Sequence, residues 1–108
     1  MASLQTTGTA IPAGDLRLVI AAFALGPVRQ VRFLPEGLIS RNWQITAGRG
    51  VFALKQIKDA PPPQARRNLR VAAALRAAGI PALEPVLTVT GDTIAEADER
   101  HYCLSWWI

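Results

Sequence analysis

The residue types that build specialised chemistry are scarce in this chain. Cys103 is the sole cysteine among 108 residues, which excludes an internal disulfide and fits a reducing, cytoplasmic setting. His101 is the sole histidine, so cysteine and histidine together cannot supply the shell of a structural zinc site, and His101 beside Tyr102 reads as a surface residue. Aromatics make up only 6% of the chain and do not alternate with basic residues, so no stacking platform for single-stranded nucleic acid is expected. Long apolar runs are missing too. The longest, Leu18 to Leu25, falls far short of a membrane span. No basic segment precedes it, and Asp15 and Arg17 interrupt its approach, which is unlike a secretory signal. A soluble chain with no membrane partner is expected.

What is present is a hydrophobic half and a modest positive charge. At 50% hydrophobic residues the chain can form one domain, or part of one, with a modest core. The net charge of +4 and pI near 10.2 admit an anionic partner such as nucleic acid or a phosphorylated ligand. Nearly all that charge is dispersed arginine, apart from Arg66, Arg67 and Arg70; this argues against a nucleic-acid partner, and the cluster is most simply a solvated helix face.

Lysine is scarce too, with only Lys55 and Lys58, and Lys55 lies in the stretch that organises the rest. Gly50 to Ile57 is β-branched and aromatic and reads as a strand. At period two, Val51, Ala53, Lys55 and Ile57 share one face, and Phe52 and Leu54 the other. Both faces are apolar, as in a central strand. An ammonium there needs a reason, since taking it out of water is costly unless it is paired; the ordinary alternative is a stem that snorkels to the edge.

Around this strand the chain reads in order. Residues 1–14 are small and polar and should form a flexible N-terminus, the domain beginning at residue 15. Asp15 is a plausible N-cap for an amphipathic helix carrying Leu16, Val19, Ile20, Phe23 and Ala24, stopped by Gly26-Pro27. Val28 to Leu34 and Trp43 to Ala47 read as strands that join Gly50 to Ile57 in an antiparallel meander, the first connection being an exposed loop with one glycine. Three prolines, Pro61 to Pro63, set the start of a helix from Gln64 to Ala78 closed by Gly79. Its apolar stripe reads as Gln64, Asn68, Val71, Ala72 and Leu75, so Asn68 should face the sheet and hydrogen-bond there. Pro85 to Thr90 reads as a fourth strand, Thr93 to Glu96 starts the return, and Tyr102 to Ile108 is a further, apolar strand.

The order of these parts resembles the N-terminal lobe of the aminoglycoside phosphotransferase superfamily, kinase-like enzymes that include type II homoserine kinases and choline kinases. Four stretches carry the resemblance: the loop Glu36 to Trp43, the strand Val51 to Lys55, the helix end Leu75 to Pro81, and Tyr102-Cys103-Leu104 entering a hinge. It implies an α+β fold: a five-stranded antiparallel sheet, one packed helix and a preceding N-terminal helix. It also implies an ATP-dependent phosphotransferase acting on a small-molecule hydroxyl. By position, Gly37, Leu38, Ser40 and Asn42 would lie over the phosphates, Ala53 would meet the adenine, and Lys55 would be the catalytic lysine on the α- and β-phosphates. Ser105, Trp106 and Trp107 would begin the hinge at the adenine edge.

Two departures qualify the resemblance. Such helices usually present a glutamate to the strand lysine, but no acidic residue lies between Ala60 and Leu83, and the corresponding position is Asn68, expected to point toward Lys55. The second lobe, which would hold Mg²⁺ and the acceptor, is expected to lie outside this chain. Alone, the chain is then expected to be inactive, with an apolar lobe interface through which it could self-associate. The readings from other classes are a non-catalytic interaction module that kept the lobe fold and a small basic nucleic-acid binder.

Overall fold

A computed structural model describes residues 5–7, 10–35 and 40–107, the side chains of 5–7 excepted. The elements are β1 (Gln5–Thr7), α1 (Ala13–Phe23), β2 (Val28–Leu34), β3 (Arg41–Ala47), β4 (Gly50–Gln56), α2 (Pro62–Ala77), β5 (Ala95–Ala97) and β6 (Arg100–Trp106). The strands form one sheet in the order β1-β2-β3-β4-β6-β5. Strands β2 to β6 make the expected five-stranded antiparallel sheet, and β4 is central between β3 and β6. Within the tail expected to be flexible, β1 adds a short parallel strand beside β2.

Period two sorts the strands into two faces. Val31, Trp43, Ile45, Phe52, Leu54, Tyr102 and Leu104 are buried on one face, where Leu16, Val19 and Phe23 of α1 join them. Burying side chains of this size stabilises by about 2 kcal/mol each, so this layer is the fold's main support. Asp15 is not an N-cap. The helix starts two residues earlier, behind Pro12, and Asp15 sits buried in its first turn. There the carboxylate accepts hydrogen bonds from the Arg100 guanidinium and the Tyr102 hydroxyl, tying α1 to β6. The other end of α1 is held by Arg49 in the β3–β4 turn, whose guanidinium donates to the Phe23 carbonyl at 2.8 Å and lies over the Phe52 and Trp106 rings.

The fourth strand read at Pro85 to Thr90 is not a strand. One bridge forms, between Pro85 and Ser105, and Val86 N–H donates to the Leu104 carbonyl. The bonds flanking that bridge come from the Val86 N–H and the Glu84 carbonyl, so the N–H that Pro85 lacks costs this pairing nothing. Beyond it the segment leaves the sheet, and Val89 N–H donates instead to Ala22 of α1. The edge strand is β5, shifted from the Thr93–Glu96 reading.

Helix α2 packs on a different face from the one read in the sequence. Ala65 is buried, Pro62, Leu69 and Ala72 are half-buried, and Asn68, Val71 and Leu75 are exposed, Val71 by 59%. Arg66 explains the rotation. It is no solvated arginine but forks onto both Asp92 carboxylate oxygens at 3.1 Å and onto Glu96 at 2.7 Å, turning Ala65 and Leu69 to the sheet. Past Ala72 the remaining residues of the helix are all exposed. Gly79, with φ +84°, ends it as the Ile80 N–H folds back onto the Leu75 carbonyl.

Candidate functional site

The face of β4 opposite α1 carries Val51, Ala53 and Lys55, all half-buried. In β6, Ser105 lies opposite Ala53 and Cys103 opposite Lys55; in β3, Asn42 lies opposite Lys55. Three adjacent strands therefore bring Asn42, Lys55 and Cys103 into one row. That row floors an apolar cleft of about 270 Å³ lined by Asn42, Ala53, Lys55, Ser105, Trp106 and Trp107 together with Leu69, Leu83, Pro85, Cys103 and Leu104. The volume is near the lower end for small-molecule sites, enough for a flat heterocycle with its tail outside.

Six of the nine residues marked as candidates in the sequence thus line one cleft. Ser40 stands apart: its hydroxyl accepts from the Lys58 N–H, and its carbonyl accepts from the Asn42 amide at 3.3 Å. Gly37 and Leu38 lie outside the described residues. The hinge register has a specific restriction, because the Trp107 N–H already donates to the Val51 carbonyl at 3.0 Å and the Trp106 N–H points to the Glu84 carbonyl. The Trp106 ring is also engaged, tilted on Phe52 with centroids 4.6 Å apart. Behind it Gly50 has φ +144°, where a side chain is strained, and a Cβ there would approach the Trp106 ring to 3.1 Å, so the ring would have to give slightly.

A smaller cavity of about 90 Å³ lies behind Lys55, lined by Lys55, Ile57, Asp59, Ala60, Ala65, Asn68, Leu69 and Cys103. Lys55, Leu69 and Cys103 belong to both spaces. Asn68 reaches this cavity's wall but makes no hydrogen bond to the ammonium, because the rotation of α2 leaves it on the flank of the packed face. Burial pushes the Cys103 thiol up to about 11, with Lys55 drawing it down and Asp59 raising it by less. At neutral pH it is therefore a thiol, and it serves the cleft as a small apolar wall. His101, read as a surface residue, is half-buried and places Nε2 2.9 Å from the Ala60 carbonyl.

The cleft walls Leu69, Leu83, Pro85, Cys103 and Leu104 escaped the sequence reading. Alternation along Tyr102 to Trp106 put Cys103 and Ser105 on one face, which could have pointed to Cys103; Leu83 and Pro85 carried no such signal, since they border the cleft from an irregular segment. Among the described residues no three histidine, cysteine, aspartate or glutamate side chains gather as a metal ion would require. The described residues do not fit a Mg²⁺ site. No helix among them is long and apolar enough to cross a membrane.

An antiparallel five-stranded sheet with a central lysine strand, one helix beside that lysine and a second on the far face is the α+β architecture of a kinase-like N-terminal lobe. The model of the phosphotransferase enzyme family matches residues 30–106, and the chain belongs to that family. No curated protein matches the chain.

Proposed function

We propose that this chain is the nucleotide-covering half of an ATP-dependent phosphotransferase whose acceptor is a small-molecule hydroxyl. The observation that carries the proposal is the cleft in which Ala53, Lys55, Asn42 and the Ser105–Trp107 segment converge. An apolar slot of this size suits a purine, and a lone ammonium at its inner end suits the phosphates that follow. In this reading Ala53 leaves space for the base, Leu69, Leu83 and Pro85 wall it, and Lys55 holds the α- and β-phosphates. Backbone carbonyls near Ser105 meet the adenine edge, since the two tryptophan N–H groups are engaged.

Phosphoryl transfer depends on positioning and charge stabilisation; the cleft offers one cation, Lys55, and the described residues no carboxylate set for a metal. The acceptor and the metal therefore belong to residues beyond those described, and the described part alone should turn over nothing. Exposed Leu83, Trp106 and Trp107 at the cleft mouth supply an apolar surface through which copies could associate. Titrating the chain with Mg-ATP while following tryptophan fluorescence and melting temperature tests the reading. Saturable quenching with a rise in melting temperature supports it, and neither change, at millimolar nucleotide, overturns it.

A second reading, a non-catalytic module that kept the lobe fold, is favoured by one observation: α2 brings no carboxylate to Lys55. Retained partner binding with no nucleotide response would select it.

A further inference from the structure

Asp15, Asp92 and Glu96 are each committed to an arginine. Asp59 differs: it takes part in no ion pair or hydrogen bond among the described residues, and it is the one described carboxylate that lines either space around Lys55. Its backbone is firmly placed. The Ile57 N–H donates to the His101 carbonyl at 2.9 Å, the Lys58 N–H donates to the Ser40 hydroxyl, and the Ala60 carbonyl lies 2.9 Å from His101 Nε2. The bend holding Asp59 is thus pinned on both sides, to β6 and to the residue preceding β3.

Lys55 needs such a neighbour if it is to act on phosphates, because an ammonium on a four-carbon stem samples many positions unless a fixed group restricts it. No residue of α2 is acidic. We infer that Asp59, from the β4–α2 connection, is the positioning carboxylate for Lys55, meeting its ammonium across the small cavity that both residues line. The inference rests on the phosphate-binding reading of Lys55. Independent support comes from the Cys103 thiol, which feels Lys55 and Asp59 with opposite sign and so lies within electrostatic reach of both. Asn68 lines the same cavity, and its amide is a further polar group there that adds no charge. Because Asp59 is exposed, the pair adds little to stability, and its effect belongs in ligand affinity.

The test compares the whole chain with Asp59→Asn, Asp59→Glu, Lys55→Met and the Lys55→Met/Asp59→Asn double variant, using Mg-ATP as the probe and tryptophan fluorescence as the readout. Asp59→Asn should weaken binding about threefold, Asp59→Glu should restore it, and the double variant should bind no worse than Lys55→Met, since the carboxylate acts through the lysine. If Lys55→Met weakens binding while Asp59→Asn does not, or if the two losses add, the inference is overturned and the reading of Lys55 stands. If Lys55→Met changes nothing, that reading falls and takes the inference with it. A measurement without nucleotide checks the placement separately: iodoacetamide alkylation of Cys103 at a fixed, mildly alkaline pH should quicken in Asp59→Asn as the thiolate loses a facing negative charge. An unchanged rate puts Asp59 out of reach of the lysine and thiol, and overturns the inference.

Discussion

On the α1 side of the sheet, Leu16, Val19 and Phe23 are buried and Asp15 joins the layer through Arg100 and Tyr102; on the α2 side the helix buries only Ala65, in a small cluster with Ile57, Ala60 and Ile94, and Val71, Leu75 and Leu83 are exposed. Helix α1 is the more apolar and is built into the core, whereas α2, which carries four arginines, rests on its first two turns and an arginine fork. Where packing is dense the chain holds its shape, and where packing is sparse it leaves space for a ligand. Lys55 lies on the sparse side, at the end of β4 nearest α2. The division has a physical basis, because a binding cleft needs unfilled volume and a core cannot tolerate it.

The strongest way to break this comparison is to hollow the dense side. Phe23→Ala should destabilise the chain by about 4 kcal/mol, measured by denaturant titration, because it removes a buried ring and leaves a cavity. If the loss is below 1 kcal/mol, α1 is not the support described. On the sparse side the expected effect is functional: Lys55→Ala, in a protein carrying the complete catalytic apparatus, should lower ATP-dependent turnover by about a hundredfold or more while leaving the melting temperature unchanged. Unchanged turnover would remove Lys55 from the site.

Asp15 gives a smaller effect with a pH signature. Arg100 foremost, and then Tyr102, hold its carboxyl below the ordinary range against the opposing pull of burial. A carboxylate depressed in the folded state contributes stability that is complete above its unfolded value near 3.8 and disappears as pH falls through the folded one. Asp92, lowered mainly by Arg66, behaves alike. Melting temperature should therefore hold down to about pH 4 and drop below it. Asp15→Ala should remove part of that drop and cost about 1–3 kcal/mol at neutral pH, because the buried Tyr102 hydroxyl loses its partner. Tyr102 itself is pushed upward, chiefly by burial, so stability should also decline as the solution is taken above about pH 10. A melting temperature flat through the acid range would show that the clamp is not formed.

The finest contrast sets two valines against each other. Val19 on α1 is fully buried and Val71 on α2 is 59% exposed. Val19→Ala should cost about 2 kcal/mol, whereas Val71→Ala should lie within about 0.5 kcal/mol of the parent. Equal losses would mean that α2 is covered in solution, by a second copy or by another part of the protein, and sedimentation would then identify which.

Much of this was legible in the sequence because it depends on local periodicity. Alternation in Val51 to Ile57 placed Ala53 and Lys55 on one face and Phe52 on the other, and the structure has them so. The prolines before α2 and Gly79 after it bracketed that helix to within two residues. The cleft lysine's neighbours on β3 and β6, in contrast, depend on register, which a single strand's pattern cannot state: that Asn42 and Cys103 both lie opposite Lys55 follows from pairings across the sheet.

Three features belonged to the tertiary structure alone. A helical wheel offers several adjacent stripes, and the choice of the Ala65–Leu69 face over that of Asn68 was made by Arg66 meeting Asp92 and Glu96 from a hairpin some thirty residues away. Asp15 looked like a cap because caps are local, but its partners Arg100 and Tyr102 lie at the other end of the chain. Pro85 to Thr90 had the composition of a strand, but its pairing with β6 ends at Val86, after which the Thr88 N–H goes to Asp92 and the Val89 N–H to Ala22 of α1. The sequence by itself determined both helices, the strands β2, β3, β4 and β6 and the face on which Lys55 lies, since those follow from spacing along one segment. Which helix face turns inward, which charges meet and where empty volume remains are properties of segments brought together, and only the folded chain decides them.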